Sequence, residues 1–316
     1  MEEKKYEGPD NYSNDGITYD EKGEINTQIA TQWSALQNET FAPAYASVSK
    51  VPAGLYEIGW NSSIQTYILS KQRLKMDELY ELPSPEIQSI LNDIELFWER
   101  KETYKKYNFV HKRGILLWGD PGCGKSGIIQ LCVKNLIEKK NGIVINIKDE
   151  ESIRFFSEFI PIIKRIEPGR PIIVILEDID SLAGEDRYST AKLLNILDGV
   201  KQIENVVYIA TTNYPDKLQE RITNRPSRFD RRYQVGMPSK EIREAYIKNK
   251  LSEDDLNSID IEKWIDLTDG MSLSHLKELV ISVIVMDKTF DDAFDNLSEM
   301  KASPKLRKKT NIGFKS

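Results

Sequence analysis

The fold of this chain is decided by residues 114–126, which read GILLWGDPGCGKS. The first five of these residues form a short apolar run, which is typical of a buried strand. Three glycines follow, at positions 119, 122 and 124. Glycine lets the backbone turn sharply and align its N–H groups on one side. A helical pattern then runs from about residue 124 to 139, so the stretch predicts a strand, a tight loop and a helix in direct succession.

The loop has the residue types that phosphate binding requires, namely two glycines that bracket four residues, then a lysine and a serine. Its N–H groups and the positive end of the following helix both suit phosphate oxygens. Lys125 would place a positive charge on the β- and γ-phosphates, and the Ser126 hydroxyl would reach Mg²⁺. We therefore predict a site for ATP and Mg²⁺ that consists of Gly119, Asp120, Pro121, Gly122, Cys123, Gly124, Lys125, Ser126 and Gly127.

Three further segments carry polar residues of a matching kind. Residues 172–180, IIVILEDID, are an apolar strand that runs into carboxylates, which can hold the water shell of Mg²⁺ and polarise an attacking water. Asn213 follows another apolar run and could hold that water. Residues 225–232, RPSRFDRR, offer guanidinium groups that suit γ-phosphate charge. Each segment also has a simpler interpretation. The acids after residue 176 could be a solvated loop, Asn213 could form an Asx turn, and residues 225–232 could be a solvated basic loop.

Around these segments, short apolar runs alternate with helical segments. Strands are predicted at residues 114–118, 142–147, 171–176, 206–210 and 233–235, and helices at 124–139, 151–166 and 189–197. This alternation indicates an α/β fold with a parallel sheet sandwiched by helices. After Pro238 only helical patterns remain, at residues 239–251, 261–267, 272–286 and 289–300. We expect an ATPase core at residues 84–237 and a small helical lid at 238–300.

The segment before the core is less regular. Residues 1–50 are expected to be largely irregular and acidic, with at most one helical turn at residues 28–36. Residues 51–83 are expected to form a small β-hairpin element, in which two apolar runs flank a polar turn at residues 61–63. Ser84 can cap a helix that starts at Pro85 and ends near Tyr107.

The composition fits a soluble globular protein of about two domains, with 316 residues, 40% hydrophobic and 30% charged. No run approaches the length of a membrane span, and the acidic N-terminus does not resemble a secretory signal. With only two cysteines, a cytoplasmic location is expected. The net charge of −6 does not favour nucleic acid or anionic membranes. A basic tail, residues 301–316, carries six lysines and arginines and no acid.

The four polar segments stand in the order and spacing of the AAA+ ATPases, and the chain resembles that family over about residues 84–290. The resemblance implies a P-loop NTPase fold with a helical lid, and a homo-oligomeric ring, typically a hexamer, with nucleotide between neighbours. It implies that Ser126 and Glu177 serve the metal ion and Asp178 activates the water. It also implies that Asn213 is the sensor residue and that Arg225 and Arg228 are arginine fingers.

Two details narrow the resemblance within the AAA branch. The acidic pair is Glu177-Asp178, whereas most members have Asp-Glu, and the phosphate loop reads PGCGKS. Both features resemble the mitochondrial Rieske-protein translocase ATPases and related bacterial and phage proteins, which favours a bacterial or phage-encoded chain. Residues 148–156 lack the aromatic–apolar–glycine loop of threading unfoldases, and the lid offers Lys277 where an arginine is common. Cys123 lies near a helix N-terminus, which predicts a lowered thiol pKa.

Three functions remain open at this point. The favoured one is an ATP-hydrolysing motor that remodels or moves a protein partner. The second is a DNA-transaction ATPase of the clamp-loader or helicase-loader type, which would use the basic tail and residues 225–232. The third is a slow, nucleotide-gated scaffold. Substrate choice is expected to lie in residues 1–83, because an ATPase core is generic.

Overall fold

A seven-stranded sheet, parallel except at one edge, organises the protein. The structure is a computed structural model that describes residues 32–35, 41–44, 48–63, 65–73, 82–183, 187–198, 203–218, 222, 225 and 227–302. The chain divides into two compact units. One comprises Met1–Pro52 and Ile163–Pro168, and the other comprises Ala53–Ile162 and Gly169–Ser316. The sheet, the phosphate loop and the lid all belong to the second unit.

The strand order in this sheet is β4-β3-β6-β7-β8-β5-β9. Only β3 and β4 pair antiparallel, and the other neighbours run parallel. The strands are β3 Gly54–Asn61, β4 Thr66–Gln72, β5 Lys112–Trp118, β6 Ile143–Ile147, β7 Ile172–Leu176, β8 Val206–Thr212 and β9 Arg231–Gln234. The five strands predicted for the core are confirmed, each within about two residues at either end. The apolar runs of β5, β6, β7 and β8 are buried, whereas β9 is a largely exposed edge strand.

The helices of the core also follow the predicted pattern. They are α1 Pro85–Glu99, α2 Lys101–Lys106, α3 Lys125–Lys140, α4 Glu150–Ile166, α5 Ile179–Ala183 and α6 Arg187–Asp198. The Ser84 side chain accepts a hydrogen bond from the Ile87 N–H, as expected of a cap before Pro85. The helix predicted to reach Tyr107 is interrupted at Arg100, so it forms two helices instead of one.

Helices cover both faces of the sheet. On one face, Ile90 of α1 and Ile128 of α3 pack with Ile115 and Val207 of β5 and β8 in one buried cluster. On the other face, the ring of Phe156 in α4 meets the ring of Tyr208 in β8 at a centroid distance of 6.5 Å. Val207 and Tyr208 are neighbours and point to opposite faces, as the alternation along a strand requires. The predicted layer order of helix, sheet and helix is therefore confirmed.

The hairpin β3–β4 differs from the prediction in one respect. Its two strands lie where they were expected, but they extend the core sheet instead of standing apart from it. Gly54 pairs with Ile143 and Tyr56 with Ile145, so β3 runs parallel to β6. The boundary predicted at residue 84 therefore does not separate the hairpin from the sheet. The sequence did not show this, because the pairing joins residues that are far apart along the chain.

The first unit contains a small two-stranded antiparallel sheet, formed by β1 Gln32–Ala35 and β2 Phe41–Ala44. Residues 32–35 form a strand, so the helical turn predicted at residues 28–36 is wrong at these four positions. Strand pairing between two segments of four residues leaves no periodic signal that a sequence pattern can detect. Residues 1–31 and the basic tail from 303 onward lie outside the described part of the chain.

The lid is a separate helical layer with its own apolar core. Its helices are α7 Lys240–Lys250, α8 Glu253–Ser258, α9 Ile261–Leu267, α10 Leu273–Val280 and α11 Phe290–Ala302, with a π-helical turn at Ile281–Val285 after α10. Ile247, Trp264 and Leu279 lie in one buried cluster that joins α7, α9 and α10. The four predicted helices are present, and the short α8 was not predicted.

Candidate nucleotide-binding and active site

The phosphate loop joins the carboxyl end of β5 to the first turn of α3. Its three glycines, Gly119, Gly122 and Gly124, have φ values of 153°, 78° and 103°. These values lie in the region that side chains disfavour. At Gly119 a Cβ atom would lie 2.1 Å from the Val235 carbonyl oxygen, and at Gly122 it would lie 2.7 Å from the Ser274 Oγ. The loop therefore needs glycine both for its backbone conformation and for its close contacts.

Lys125 is held inside this loop. Its Nζ donates to the Gly119 carbonyl at 2.7 Å, to the Asp120 carbonyl at 2.9 Å and to the Asn213 Oδ1 at 2.7 Å. Only 7% of the residue is exposed, and burial lowers the pKa of its ammonium group. Three acceptors within hydrogen-bond distance keep this charge at the mouth of the loop, where a phosphate would sit.

The acidic pair follows β7 and lies beside the loop. Glu177 Oε2 is 3.4 Å from the Ser126 hydroxyl, which donates to it. Asp178 has a φ of 47°, a left-handed conformation that Asp tolerates better than most residues. The Asp178 N–H donates to the Thr211 hydroxyl at 3.1 Å, and this contact fixes the turn after the strand. The Glu177 carboxylate therefore accepts from Ser126, whereas the Asp178 carboxylate accepts from Asn213.

Asn213 forms hydrogen bonds with both Lys125 and Asp178. Its Oδ1 accepts from Lys125, and its Nδ2 donates to the Asp178 Oδ1 at 3.2 Å. The residue follows the end of β8, which is adjacent to β7 on one side and to β5 on the other. The carboxyl ends of three neighbouring strands thus bring Lys125, Asp178 and Asn213 together, at the edge where parallel α/β sheets bind ligands.

These residues line a cavity of about 350 Å³. The cavity also includes four lid residues: Tyr246, Leu273, Ser274 and Lys277. The Ser274 N–H donates to the Gly122 carbonyl at 3.2 Å, so the start of α10 touches the phosphate loop directly. No sequence pattern marks Tyr246, because its place in the cavity depends on how the lid packs.

A second cavity, of about 360 Å³, shares Gly124, Gly127, Tyr246 and Leu273 with the first. Its wall is mainly apolar and includes residues 82–84 and the first turn of α1, Pro85 to Ile87, together with Ile128 and Met237. Cys123 lines it, with its Sγ 3.6 Å from the Met237 Sδ. Burial raises the pKa of the Cys123 thiol, so the predicted lowering is wrong, because desolvation outweighs the helix terminus here.

The two arginines lie elsewhere. Arg225 and Arg228 both donate to Asp198 at the end of α6, Arg225 Nη1 to its Oδ2 at 2.9 Å and Arg228 Nε to its Oδ1 at 2.8 Å. The Arg228 carbonyl oxygen lies against Gly114, near the start of β5. The phosphate loop follows the opposite end of the same strand. At about 3.3 Å per residue, the two places are roughly 15 Å apart. The structure therefore does not bring the arginines to the nucleotide site of their own chain.

The two arginines also differ in exposure. The Arg228 side chain is 6% exposed, and that of Arg225 is 62% exposed. The hydrogen bonds from Arg228 hold the pKa of the Asp198 carboxyl below its usual range. Arg228 is thus fixed within its own chain, while most of the Arg225 side chain is exposed to solvent.

The residues fit a magnesium ion. Ser126 Oγ and Glu177 Oε2 are hard oxygen ligands beside the phosphate loop. Mg²⁺ in phosphate-transfer sites is held by one or two protein oxygens, by substrate phosphates and by water. In the described part of the chain there is no cluster of three or more acidic, histidine or cysteine side chains that could hold a metal. Ser126 Oγ and Glu177 Oε2 give the kind of partial ligand set that Mg²⁺ takes.

Together, the parallel sheet, the glycine loop and the acidic strand end define a P-loop NTPase. Residues 115–237 match the model of the ATPase family associated with various cellular activities (AAA). Residues 115–237 thus carry an AAA ATPase domain, which confirms the AAA+ resemblance at that level, while the narrower resemblance to the Rieske-protein translocase ATPases stays a prediction.

Curated relatives agree with this assignment. The chain is similar to the cell division cycle protein 48 homolog of Archaeoglobus fulgidus, with 30% identity over 61% of this chain and 28% of the relative. It is 28% identical to the proteasome-activating nucleotidase of Thermococcus onnurineus, over 62% of this chain and 52% of the relative. It is 29% identical to an "AAA ATPase forming ring-shaped complexes" of Corynebacterium kroppenstedtii, over 58% of this chain and 38% of the relative. The chain therefore matches about half or less of the length of these relatives.

Among the helices that the structure describes, none has both the length and the apolar character needed to cross a membrane.

Proposed function

We propose that this protein binds ATP with Mg²⁺ and hydrolyses it to ADP and phosphate, and that it uses the energy to remodel or move a protein partner. The observation that carries the proposal is the connection from Lys125 through Asn213 to Asp178, which joins the phosphate-binding cation to a carboxylate. The ATPase names of the relatives support the same reaction class.

Each residue has a distinct part in this mechanism. The loop N–H groups and Lys125 would bind the phosphates, and the mainly apolar second cavity would take the adenine ring. Ser126 and Glu177 would hold Mg²⁺, which neutralises charge on the phosphates when bound. Asp178 would accept a proton from the attacking water, and Asn213 would orient that water.

The Asp178 backbone supports this assignment. Asp is one methylene shorter than the Glu that most members carry at this position. The left-handed φ of 47° and the hydrogen bond from its N–H to Thr211 fix where the short side chain begins. We infer that the backbone turn supplies the reach that the side chain lacks.

We further propose that Arg225 acts on the nucleotide of a neighbouring copy in a ring. Its guanidinium is the exposed one of the pair, and it lies far from the nucleotide site of its own chain. A guanidinium supplied in trans would stabilise charge on the γ-phosphate. Arg228 would instead position Asp198, and through it Arg225. The name of the Corynebacterium relative supports a ring, and the size of such a ring would be six if it follows the family.

The test uses Asp178→Asn, which keeps the Oδ1 acceptor and removes the negative charge. ATP hydrolysis is expected to be lost, and ATP binding, measured by isothermal titration calorimetry, is expected to remain within about twofold of wild type. Asp180→Asn is the matched control, since Asp180 lies two residues away and accepts from the Thr212 hydroxyl at 2.6 Å. Near-normal turnover in Asp178→Asn would contradict the assignment of the base.

The same variant can identify the partner. If hydrolysis drives release, Asp178→Asn in its ATP state should retain a protein that wild type releases. Quantitative affinity purification of both forms, with ATP and Mg²⁺, would show a protein enriched on the variant. Enrichment of DNA in place of a protein would favour the loader function instead.

A further inference from the structure

Residues 82–87 line only the second cavity, in which the base of a nucleotide would lie. This cavity meets the phosphate cavity at Gly124 and Tyr246, which line both. A nucleotide with its phosphates in the first cavity therefore turns the outer edge of its base away from these shared residues. In a purine that edge lies opposite the sugar and carries N1 and the substituents on C2 and C6. Residues 82–87 are thus placed where bases differ from one another.

The backbone of this segment has few N–H groups to offer. Pro83 and Pro85 have none, because their nitrogens are part of the proline ring. The Ser84 N–H donates to the carbonyl oxygen two residues before it at 2.8 Å, and the Ile87 N–H donates to the Ser84 Oγ at 3.3 Å. An acceptor on a base, such as N1 of adenine, therefore finds no donor in the backbone of these four residues.

Glu86 adds a charged acceptor to the same segment. Its Oε2 accepts from the Ser84 hydroxyl at 2.7 Å, and its carboxylate also accepts from its own N–H. Both residues line the cavity, so this hydrogen bond keeps the carboxylate at the wall. The hydrogen bond from Ser84 also lowers the pKa of the Glu86 carboxyl, which is therefore ionised at neutral pH. A carboxylate has about four acceptor positions, so two remain for a ligand.

The rest of the cavity discriminates little between purines. Ile128 and Leu131 offer apolar surface to either fused ring. The side-chain amides of Gln130 and Gln234 can each donate or accept, so they suit an amino group and a keto group equally. Apolar contact separates ligands of similar shape by only about 100-fold, whereas hydrogen bonds to a polar site can separate them much further. The choice of base therefore depends on the polar segment with Glu86.

We propose that this site binds guanine nucleotides as well as adenine nucleotides, and that Glu86 is the residue that holds guanine. The N1–H and the 2-amino group of guanine donate to the two remaining acceptor positions of the carboxylate. Adenine donates only from its 6-amino group, and its N1 is an acceptor. Since hydrogen bonds to a charged group are the stronger ones, the second donor of guanine offsets the loss of the 6-amino group. The inference rests on the nucleotide site of the proposed function and extends its substrates from ATP to GTP.

The experiment measures the affinities of ADP, GDP and IDP for the full chain with Mg²⁺ by isothermal titration calorimetry. GDP is expected to bind within about tenfold of ADP. IDP differs from GDP only by lacking the 2-amino group, so it should bind about tenfold more weakly than GDP. GDP binding that is about 100-fold or more below that of ADP, or equal binding of GDP and IDP, would overturn the proposal.

Parallel hydrolysis assays keep this inference distinct from the proposed function. Hydrolysis of ATP without binding of GDP contradicts only the acceptance of guanine. Binding of both ADP and GDP without hydrolysis of ATP contradicts only the proposed ATPase activity. Absence of binding by all three diphosphates contradicts both.

Glu86→Gln then tests the residue itself. The variant keeps an acceptor for the Ser84 hydroxyl but turns the other oxygen into an amide donor, which opposes the 2-amino group of guanine and suits N1 of adenine. The affinity for GDP relative to ADP should fall about tenfold, and the difference between GDP and IDP should disappear. Glu102→Gln is the matched control, since Glu102 also lies in the first turn of a helix but does not line the cavity. An unchanged ratio of GDP to ADP affinity in Glu86→Gln would contradict its role.

Discussion

Replacing Asp198 by asparagine should destabilise the protein strongly, because it leaves the buried Arg228 without its counter-charge. The Arg228 side chain is 6% exposed and donates to both oxygens of Asp198, which is itself 30% exposed. Breaking a buried ion pair by removing one partner costs about 3–5 kcal/mol. Since the carboxylate is partly solvated, we expect a cost at or just below the lower limit of that range, about 2–3 kcal/mol.

The assay is urea unfolding followed by far-UV circular dichroism, with the free energy of unfolding compared at pH 7. Asp266→Asn is the matched control, because Asp266 pairs with Lys240 in an ion pair that is 66% and 61% exposed. Exposed pairs contribute about 0–1 kcal/mol, so the control should change little. If Asp198→Asn and Asp266→Asn lower the free energy of unfolding by the same amount, buried Arg228 does not depend on the Asp198 carboxylate and the reasoning is wrong.

The effect should also depend on pH in a defined direction. The hydrogen bonds from Arg228 hold the pKa of Asp198 below its unfolded value of about 3.9. The stabilisation is therefore fully present above that value and is lost as the pH falls through the lower, folded pKa. The difference between wild type and Asp198→Asn should stay constant from pH 8 to 5 and shrink below about pH 4.

Two other substitutions test the nucleotide site. Gly119→Ala would place a Cβ 2.1 Å from the Val235 carbonyl oxygen, so it should abolish ATP binding or folding, whereas Gly127→Ala, which meets nothing within 4 Å, should leave stability equal or higher. ATP binding by Gly119→Ala at wild-type affinity would contradict the loop geometry. Thr211→Val removes the hydroxyl that accepts from the Asp178 N–H, so turnover should fall about tenfold while ATP affinity holds. Unchanged turnover in steady-state kinetics would show that this contact does not position Asp178.

The features that the sequence predicts well are local. Gly119, Lys125 and Ser126 lie in one short segment, and their chemistry requires a strand before them and a helix after them. The carboxyl end of β7 and the end of β8 are also readable, because buried strands are continuous apolar runs. Parallel pairing then places Asp178 and Asn213 at the same edge, so this part of the site followed from the pattern.

The features that the sequence does not predict depend on contacts between distant segments. The lid residues Tyr246 and Ser274 lie in ordinary helical patterns, and only the packing of α10 on the phosphate loop brings them to the cavity. The extension of the sheet by β3 depends on pairing with β6, and the different exposure of Arg225 and Arg228 depends on Asp198. None of these contacts leaves a trace in local periodicity or composition.

The central claim is that one copy of the chain completes the nucleotide site of another. Lys125→Ala and Arg225→Ala subunits should each be inactive alone, because one lacks the phosphate-binding cation and the other lacks the trans-acting guanidinium. In an equal mixture that reassembles at random, about a quarter of the sites would pair an intact Lys125 with an intact Arg225. We predict that ATPase activity returns to about that fraction of wild type on mixing. Activity that stays at background in a mixture shown to co-assemble would contradict the claim.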